Sequence, residues 1–311
     1  MDSTPRVSVI MPVFNASETL NRAIESFRHQ SFEDFELIVV NDGSTDNSLD
    51  ILNQLSERDS RVIVLSKPNG GVASARQAGM DKARGEFFIH ADSDDWVESN
   101  MLEEMVACSD KHNYDILIAD YYVDRLNCKT EIVRQSLKSF ESHEVLYSIY
   151  AKDLFGGLWH KLIKKSAYAK AMAHFIDGLD YCEDKLLLTM ILQNEDLRIG
   201  YINKPFYHYV MTDSSLTRRI TRKSFGNLQA FNKLYPTYLP EDSRYDAIIA
   251  QDKLDEFVVG FVNDIYSGKE IEHEFAKIRN LAFKTRSLRW YAGYMCIRFG
   301  FYSMAHKLIR Y

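Results

Sequence analysis

The chain has 311 residues, which at ~150 residues per domain suggests about two domains. Hydrophobic residues make up 46% and charged residues 26%, ordinary globular usage that excludes a mostly disordered chain. Lys and Arg number 38 against 44 Asp and Glu, and the resulting net charge of −6 excludes a whole-protein nucleic-acid footprint. Cys108, Cys128, Cys182 and Cys296 are scattered without a CxxC pair, so neither a zinc site nor a disulfide framework is expected. A reducing cytoplasm is the expected home. The amino terminus lacks the basic-then-apolar pattern of a signal peptide, and no apolar run reaches the ~18 residues of a membrane span.

The first third alternates strand and helix patterns. Val7 to Phe14 is a near-continuous apolar run, as expected of a strand buried on both faces. A helix follows from about Ser17 to His29, with Leu20, Ile24 and Phe27 on one face. Phe35 to Val40 reads as the second strand, and about Asp46 to Glu57 as a helix. Arg61 to Leu65 is the third strand, Gly71 to Ala83 the third helix, and Glu86 to Ala91 the fourth strand. A helix from about Glu98 to Lys111 and a strand from Asp115 to Val123 follow. Such alternation predicts parallel βαβ units in a doubly wound sheet, where ligands bind beyond the carboxyl ends of the strands. From about Lys129 the alternation gives way to mixed α+β, and from about Thr221 to helices.

Chemically useful residues follow the strands. Asp92-Ser93-Asp94-Asp95 comes directly after the fourth. Three carboxylates in four residues repel one another in a low-dielectric cleft, and a divalent cation removes that penalty. The same residues would also serve as a helix cap. Asn41 to Asp46 follows the second strand; Gly43, Ser44 and Asp46 suit a turn and a cap, which leaves Asp42 free for a ligand. In Lys67 to Gly79, paired glycines permit close backbone approach, and Arg76 is either solvated or within reach of a diphosphate. Glu183 and Asp184 open an apolar helix, where they complement its dipole or supply a general base. No GxG, GxxxxGK or GxSxG pattern occurs.

Taken in order, Pro12 to Asn15, Asn41 to Asp46, Asn69 to Gly79, Asp92 to Asp95 and the later Glu183-Asp184 resemble glycosyltransferase family 2. The resemblance is close over about residues 5–100 and looser to about 220. It implies an α/β fold of GT-A type: a doubly wound, mostly parallel sheet flanked by helices, here with a helical C-terminal extension. It implies an inverting transferase that uses a nucleotide-sugar donor, often a UDP-sugar, with Mn²⁺ or Mg²⁺. Pro12, Val13 and Glu18 then flank the nucleotide, Asp42 contacts the base, and Arg76 lies near the nucleotide. Asp92 lies towards the ribose and the metal, Ser93 on the same donor loop, and Asp94 holds the metal. Asp95 touches the donor sugar or orders the loop. Asp184 is the catalytic base, with Glu183 beside it.

Further expectations attach to later segments. Trp159 in Gly156 to Leu162 either lines the acceptor sugar or is core, and His208 either lies near the diphosphate or metal or is a satisfied core histidine. Tyr207 to Thr217 resembles the family's segment after the last central strand, and Ser214, Ser215, Arg218 and Arg219 could form a lid. The expected division is a catalytic domain over 1–220, with nucleotide and acceptor halves meeting near 125, and a helical region over 221–311. From Ala276 onward there are eight Lys and Arg and no acid, interleaved with aromatics, so this region either meets an anionic membrane surface or caps the catalytic domain. A lipid-linked saccharide acceptor on the inner face of a bacterial membrane, within surface polysaccharide synthesis, is what the family suggests. The competing functions are a sugar-1-phosphate nucleotidyltransferase and a non-catalytic nucleotide-sugar or glycan-binding protein.

Overall fold

The computed structural model describes residues 4–125, 128–211, 220–282 and 288–309. The chain divides into two compact units, Met1–Asp213 and Ser214–Tyr311.

The first unit opens with β1 (Val7–Val13), α1 (Leu20–Arg28), β2 (Phe35–Asp42), α2 (Ser48–Arg58), β3 (Val62–Lys67), α3 (Val72–Lys82) and β4 (Phe87–His90). These are the predicted elements, with ends shifted by a few residues. β2 is buried along its whole length, as a strand covered on both faces must be. Leu20, Ala23, Ile24 and Phe27 form the buried stripe of α1. β1 pairs in parallel with β2 and β4, and β2 in parallel with β3. All four carboxyl ends therefore share one edge. Pro12 is tolerated because the pairing of β1 with β4 ends at Ile10 and His90, so no ladder bond is lost on that side. Gly79 lets α3 press onto the sheet: a Cβ there would stand 2.6 Å from Ile10 Cγ2.

The chain continues through β5 (Trp96–Val97), α4 (Met101–His112), β6 (Ile116–Arg125), β7 (Glu131–Val133), α5 (Ser142–Tyr150), β8 (Lys161–Lys164), α6 (Lys165–Ala171), α7 (Glu183–Ile191) and β9 (Ile199–Met211). The strand order is β3-β2-β1-β4-β8-β6-β9-β5, with β7 on β6. β8 runs antiparallel to both β4 and β6, while β6 and β9 are parallel. The mostly parallel α/β sheet flanked by helices is thus present, with antiparallel strands in its second half. One reading is corrected: Tyr207 to Met211 does not follow the last strand but ends it. Tyr207 is buried and pairs with both Tyr121 and Val97, and the consecutive buried rings of Phe206, Tyr207 and His208, held between neighbouring strands, extend β9 to Met211. The lid expected of Ser214, Ser215, Arg218 and Arg219 lies outside the described residues.

The second unit holds α8 (Arg222–Leu234), α9 (Arg244–Val262), α10 (Gly268–Ala282), α11 (Leu288–Arg298) and α12 (Tyr302–Ile309). Thr221 and Ser224 form a reciprocal capping box at the start of α8. Phe257, Phe261, Phe275, Tyr294 and Ile309 anchor its core. No helix among the described residues is long and apolar enough to cross a membrane.

Candidate active site

The strand-edge loops are stitched together before any ligand arrives. Asn15 N–H donates to Ser44 Oγ at 3.0 Å, Ala16 N–H to Ser48 Oγ at 2.9 Å, and Ser17 N–H to Asp46 Oδ2 at 3.0 Å. Burial opposes charge on Asp46, but the bonds from Ser48 and Ser17 outweigh it and hold its carboxyl well below the usual range. Asp42, expected to face a ligand, already has partners within the protein. It is 3% exposed and accepts from Lys67 Nζ at 2.6 Å, Gly70 N–H at 3.0 Å and Gly71 N–H at 2.8 Å. The reason is local. The 68–71 loop folds back over the end of β2, and its amide N–H groups need an acceptor.

The four residues after β4 divide by role. Asp92 Oδ1 accepts from Arg76 Nη2 at 2.7 Å, and its backbone N–H donates to Tyr207 Oη at 2.9 Å. The Ser93 carbonyl accepts from Thr19 Oγ1 at 2.8 Å, which leaves the loop pinned to α1. Asp94 reaches solvent, yet desolvation by surrounding protein and then repulsion from Asp92 push its carboxyl up to about 6. Asp95 is 1% exposed and accepts from Val210 N–H at 2.7 Å. That contact ties the loop to β9.

Arg76 lies behind these acids. Expected to be solvated or within reach of a diphosphate, it is 5% exposed and pairs with both Asp92 and Glu183. An arginine on the inner face of α3 faces an acid excess, and its planar fork can serve two carboxylates at once. Glu183 and Asp184 occupy the first turn of α7, preceded by Cys182 at φ 56°, a left-handed conformation unusual for a side-chain-bearing residue. Burial pushes Glu183 up to about 7, against the pull of Arg76. Burial likewise raises Asp184, whose Oδ1 accepts from Lys185 N–H at 2.8 Å. Lys161 is 1% exposed, donates to the Phe155 and Gly157 carbonyls at 2.7 and 2.6 Å, and is pushed well below its ordinary pKa by burial.

Trp159 and His208, expected at the acceptor, are both closely packed. Trp159 is 4% exposed, stacked on Tyr207 at 4.4 Å and edge-on to Tyr121 at 4.7 Å, so it presents no open face to a sugar. His208 is 5% exposed and sandwiched between Trp96 at 3.4 Å and Tyr122 at 4.2 Å. Its ring nitrogens face Asp124 at 3.0 Å and Glu98 at 3.1 Å, so it fastens β5 to β9 rather than reaching a diphosphate. Pro12 is half-buried on the edge; the Val13 side chain is core; Glu18 is exposed beside the Asp94 loop's anchor Thr19.

Sequence reasoning missed several neighbours. Phe14 is 52% exposed at the carboxyl edge, a position signalled by its place just after β1. Asp180 Oδ1 accepts from Ala73 N–H at 3.3 Å at the start of α3, a contact across 107 residues that no local pattern announces. Gly71, at φ 91°, makes room for it: a Cβ there would stand 2.2 Å from its carboxylate oxygens.

The donor set suits a hard divalent cation completed by phosphate. Desolvation and then repulsion from Asp92 raise the Asp94 carboxyl, and a cation there would relieve both. Among the described residues no three His, Cys, Asp or Glu side chains are gathered to hold a metal alone. One or two carboxylates with substrate phosphates make up the usual shell of Mg²⁺ and related ions.

The sequence model of glycosyl transferase family 2 matches residues 8–170, just over half of the chain. EpsH of Bacillus subtilis (strain 168), a protein named as a glycosyltransferase, is 28% identical over 261 residues, 82% of this chain and 75% of its own length. Hyaluronan synthase of Pasteurella multocida is 39% identical over 234 residues, 70% of this chain but 24% of its own length. S. aureus TarS 1–349 in complex with UDP-GlcNAc superposes with a TM-score of 0.69 at 18% identity, covering 98% of this chain and 90% of that one. The fold is therefore of the GT-A kind, and the match selects glycosyl transfer over nucleotidyl transfer and over binding without turnover. The chain belongs to glycosyl transferase family 2 and is a glycosyltransferase.

Proposed function

We propose that this enzyme is a metal-dependent, inverting glycosyltransferase that moves a sugar from a UDP-sugar to a saccharide or lipid-linked saccharide acceptor in bacterial surface polysaccharide synthesis. The observation that carries the reading is the gathering of Asp92, Glu183 and Asp184 around Arg76 at the carboxyl edge of the sheet, with Asp94 beside Asp92. TarS, which shares the fold, binds UDP-GlcNAc, and hyaluronan synthase makes a polysaccharide by name. In this reading residues 1–125 hold the nucleotide, 126–220 the acceptor, and 221–311 form a helical appendage.

Asp94, with Asp92 beside it, would hold Mn²⁺ or Mg²⁺, whose chemistry is to offset charge developing on the departing diphosphate. Asp184 takes the proton of the acceptor hydroxyl as that oxygen attacks the anomeric carbon. The bond from the anomeric carbon to the diphosphate oxygen breaks as the new glycosidic bond forms, so one displacement inverts the centre and no enzymic nucleophile is needed. Glu183 cannot easily share the base role, because Arg76 holds its carboxylate. The decisive experiment is transfer from a panel of nucleotide-sugars with Mn²⁺. Asp184→Asn should retain UDP binding and lose ~10²-fold or more in transfer. Wild-type turnover in that variant would remove Asp184 as the base.

A further inference from the structure

α11 and α12 form a helical hairpin whose inner faces are fully engaged. Tyr294, Ile297, Ala305 and Ile309 are buried in the core of the second unit, and Tyr302 Oη donates to Glu272 on α10 at 3.0 Å. Gly293 lets α12 approach: a Cβ there would stand 2.5 Å from Ile309 Cγ1.

The turn between them is the opposite. Gly300, at φ 77°, closes α11 with the paired bonds of a Schellman ending, Gly300 N–H to Ile297 O at 3.0 Å and Phe301 N–H to Cys296 O at 2.8 Å. In such endings the apolar residue after the glycine ordinarily folds back onto the helix. Here Phe301 is 62% exposed, Phe299 63% and Met304 58%. A rigid turn thus displays three large apolar side chains in one short segment, flanked by exposed Arg298 and Lys307. From Ala276 to the end of the sequence there are eight Lys and Arg and no Asp or Glu. The acids of the second unit all precede this stretch.

We infer that the Phe299–Met304 turn is a membrane-docking wedge that inserts into the interface of an anionic lipid bilayer. Charge chooses the occupant. An apolar tip flanked by the exposed Arg298 and Lys307 matches a surface of negative headgroups over acyl chains, where aromatic side chains insert and each Lys or Arg adds attraction. A second copy of the same cationic tip would repel it. The inference goes beyond the proposed donor and acceptor and stands or falls separately from them.

The test is co-sedimentation of the full chain with vesicles of phosphatidylcholine alone and of equimolar phosphatidylcholine and phosphatidylglycerol. Wild type should partition ~10-fold or more in favour of the anionic vesicles, and raised salt should reduce that preference. Phe299→Ser/Phe301→Ser/Met304→Ser should lose ~10-fold or more in binding with an unchanged melting temperature, since these side chains are exposed. Arg298→Gln/Lys307→Gln should weaken binding to anionic vesicles only. Equal partition of wild type and the triple variant would overturn the inference. So would concentration-dependent dimerisation that the triple variant abolishes, because the tip would then meet another protein chain.

Discussion

Arg76 and Glu183 are ion-paired across 107 residues of sequence, with side chains only 6% and 9% exposed. The pair ties the helix after the glycine loop to the first turn of the helix that carries Asp184, while the other arm of Arg76 reaches Asp92. One guanidinium therefore sets the spacing between the acids after β4 and the acids opening α7.

Removing it leaves buried acids without their cation. Arg76→Ala should destabilise the protein by ~3–5 kcal/mol, the range for breaking one side of a buried ion pair. Arg76→Lys should fall between, because an ammonium keeps the charge but lacks the fork that serves two carboxylates. Chemical denaturation checks this; a wild-type midpoint for Arg76→Ala would mean that the ion pairs do not hold the fold.

Glu183 gives a pH dependence with a defined sign. Burial raises its carboxyl from 4.5 to about 7 in the folded chain. The folded state then binds the proton more tightly than the unfolded state. Its contribution to stability is fully present below pH 4.5 and is lost as pH rises through about 7. Thermal unfolding should show stability falling across that window in wild type. The fall should be smaller in Glu183→Gln, and identical slopes would remove Glu183 as its source.

The parallel half of the fold was legible because runs such as Phe35 to Val40 are apolar on both faces and Leu20, Ile24 and Phe27 recur at helical spacing. The acids after β4 and at the start of α7 were legible as motifs. Their partners were not. Arg76 read as solvated or within reach of a diphosphate because its burial depends on Glu183, which the sequence places on a distant element. Asp42 looked free because two of the donors to its carboxylate, the N–H groups of Gly70 and Gly71, are backbone groups with no side-chain signature, and the third, Lys67, lies on another strand. His208 and Trp159 were ambiguous for the same reason: an aromatic residue is core or platform according to what stacks on it, and Trp96 and Tyr207 arrive from other strands.

Asp42 organises the glycine loop. Asp42→Asn would turn an amide towards N–H groups that need an acceptor, and would remove the charge that Lys67 faces. The cost should be ~1–3 kcal/mol of stability. UDP binding should weaken with it, since the 68–71 loop loses its anchor. Calorimetric titration with UDP checks this; unchanged affinity would uncouple the loop from the nucleotide.

Trp159 separates packing from recognition. Trp159→Ala should cost ~3–5 kcal/mol as a cavity opens against Tyr207 and Tyr121, and Trp159→Phe should recover much of it. If Trp159 is core, the Phe variant keeps the wild-type KM for acceptor. A Phe variant of near wild-type stability whose KM alone rises would show that the indole faces the sugar after all.

The metal prediction follows from the count of ligands. With Asp94 and Asp92 as the available carboxylates, and Asp92 already shared with Arg76, the protein alone is a poor chelator. Phosphate oxygens must complete the shell, so Mn²⁺ and UDP should bind cooperatively. Calorimetry should show each raising the affinity of the other by the same factor, because binding linkage is reciprocal. A factor of ~10 or more is expected, corresponding to at least ~1.4 kcal/mol of coupling. Asp94→Ala should abolish the coupling while leaving metal-free UDP binding close to wild type. Mn²⁺ that binds tightly without UDP would place the ion in a site formed by other residues.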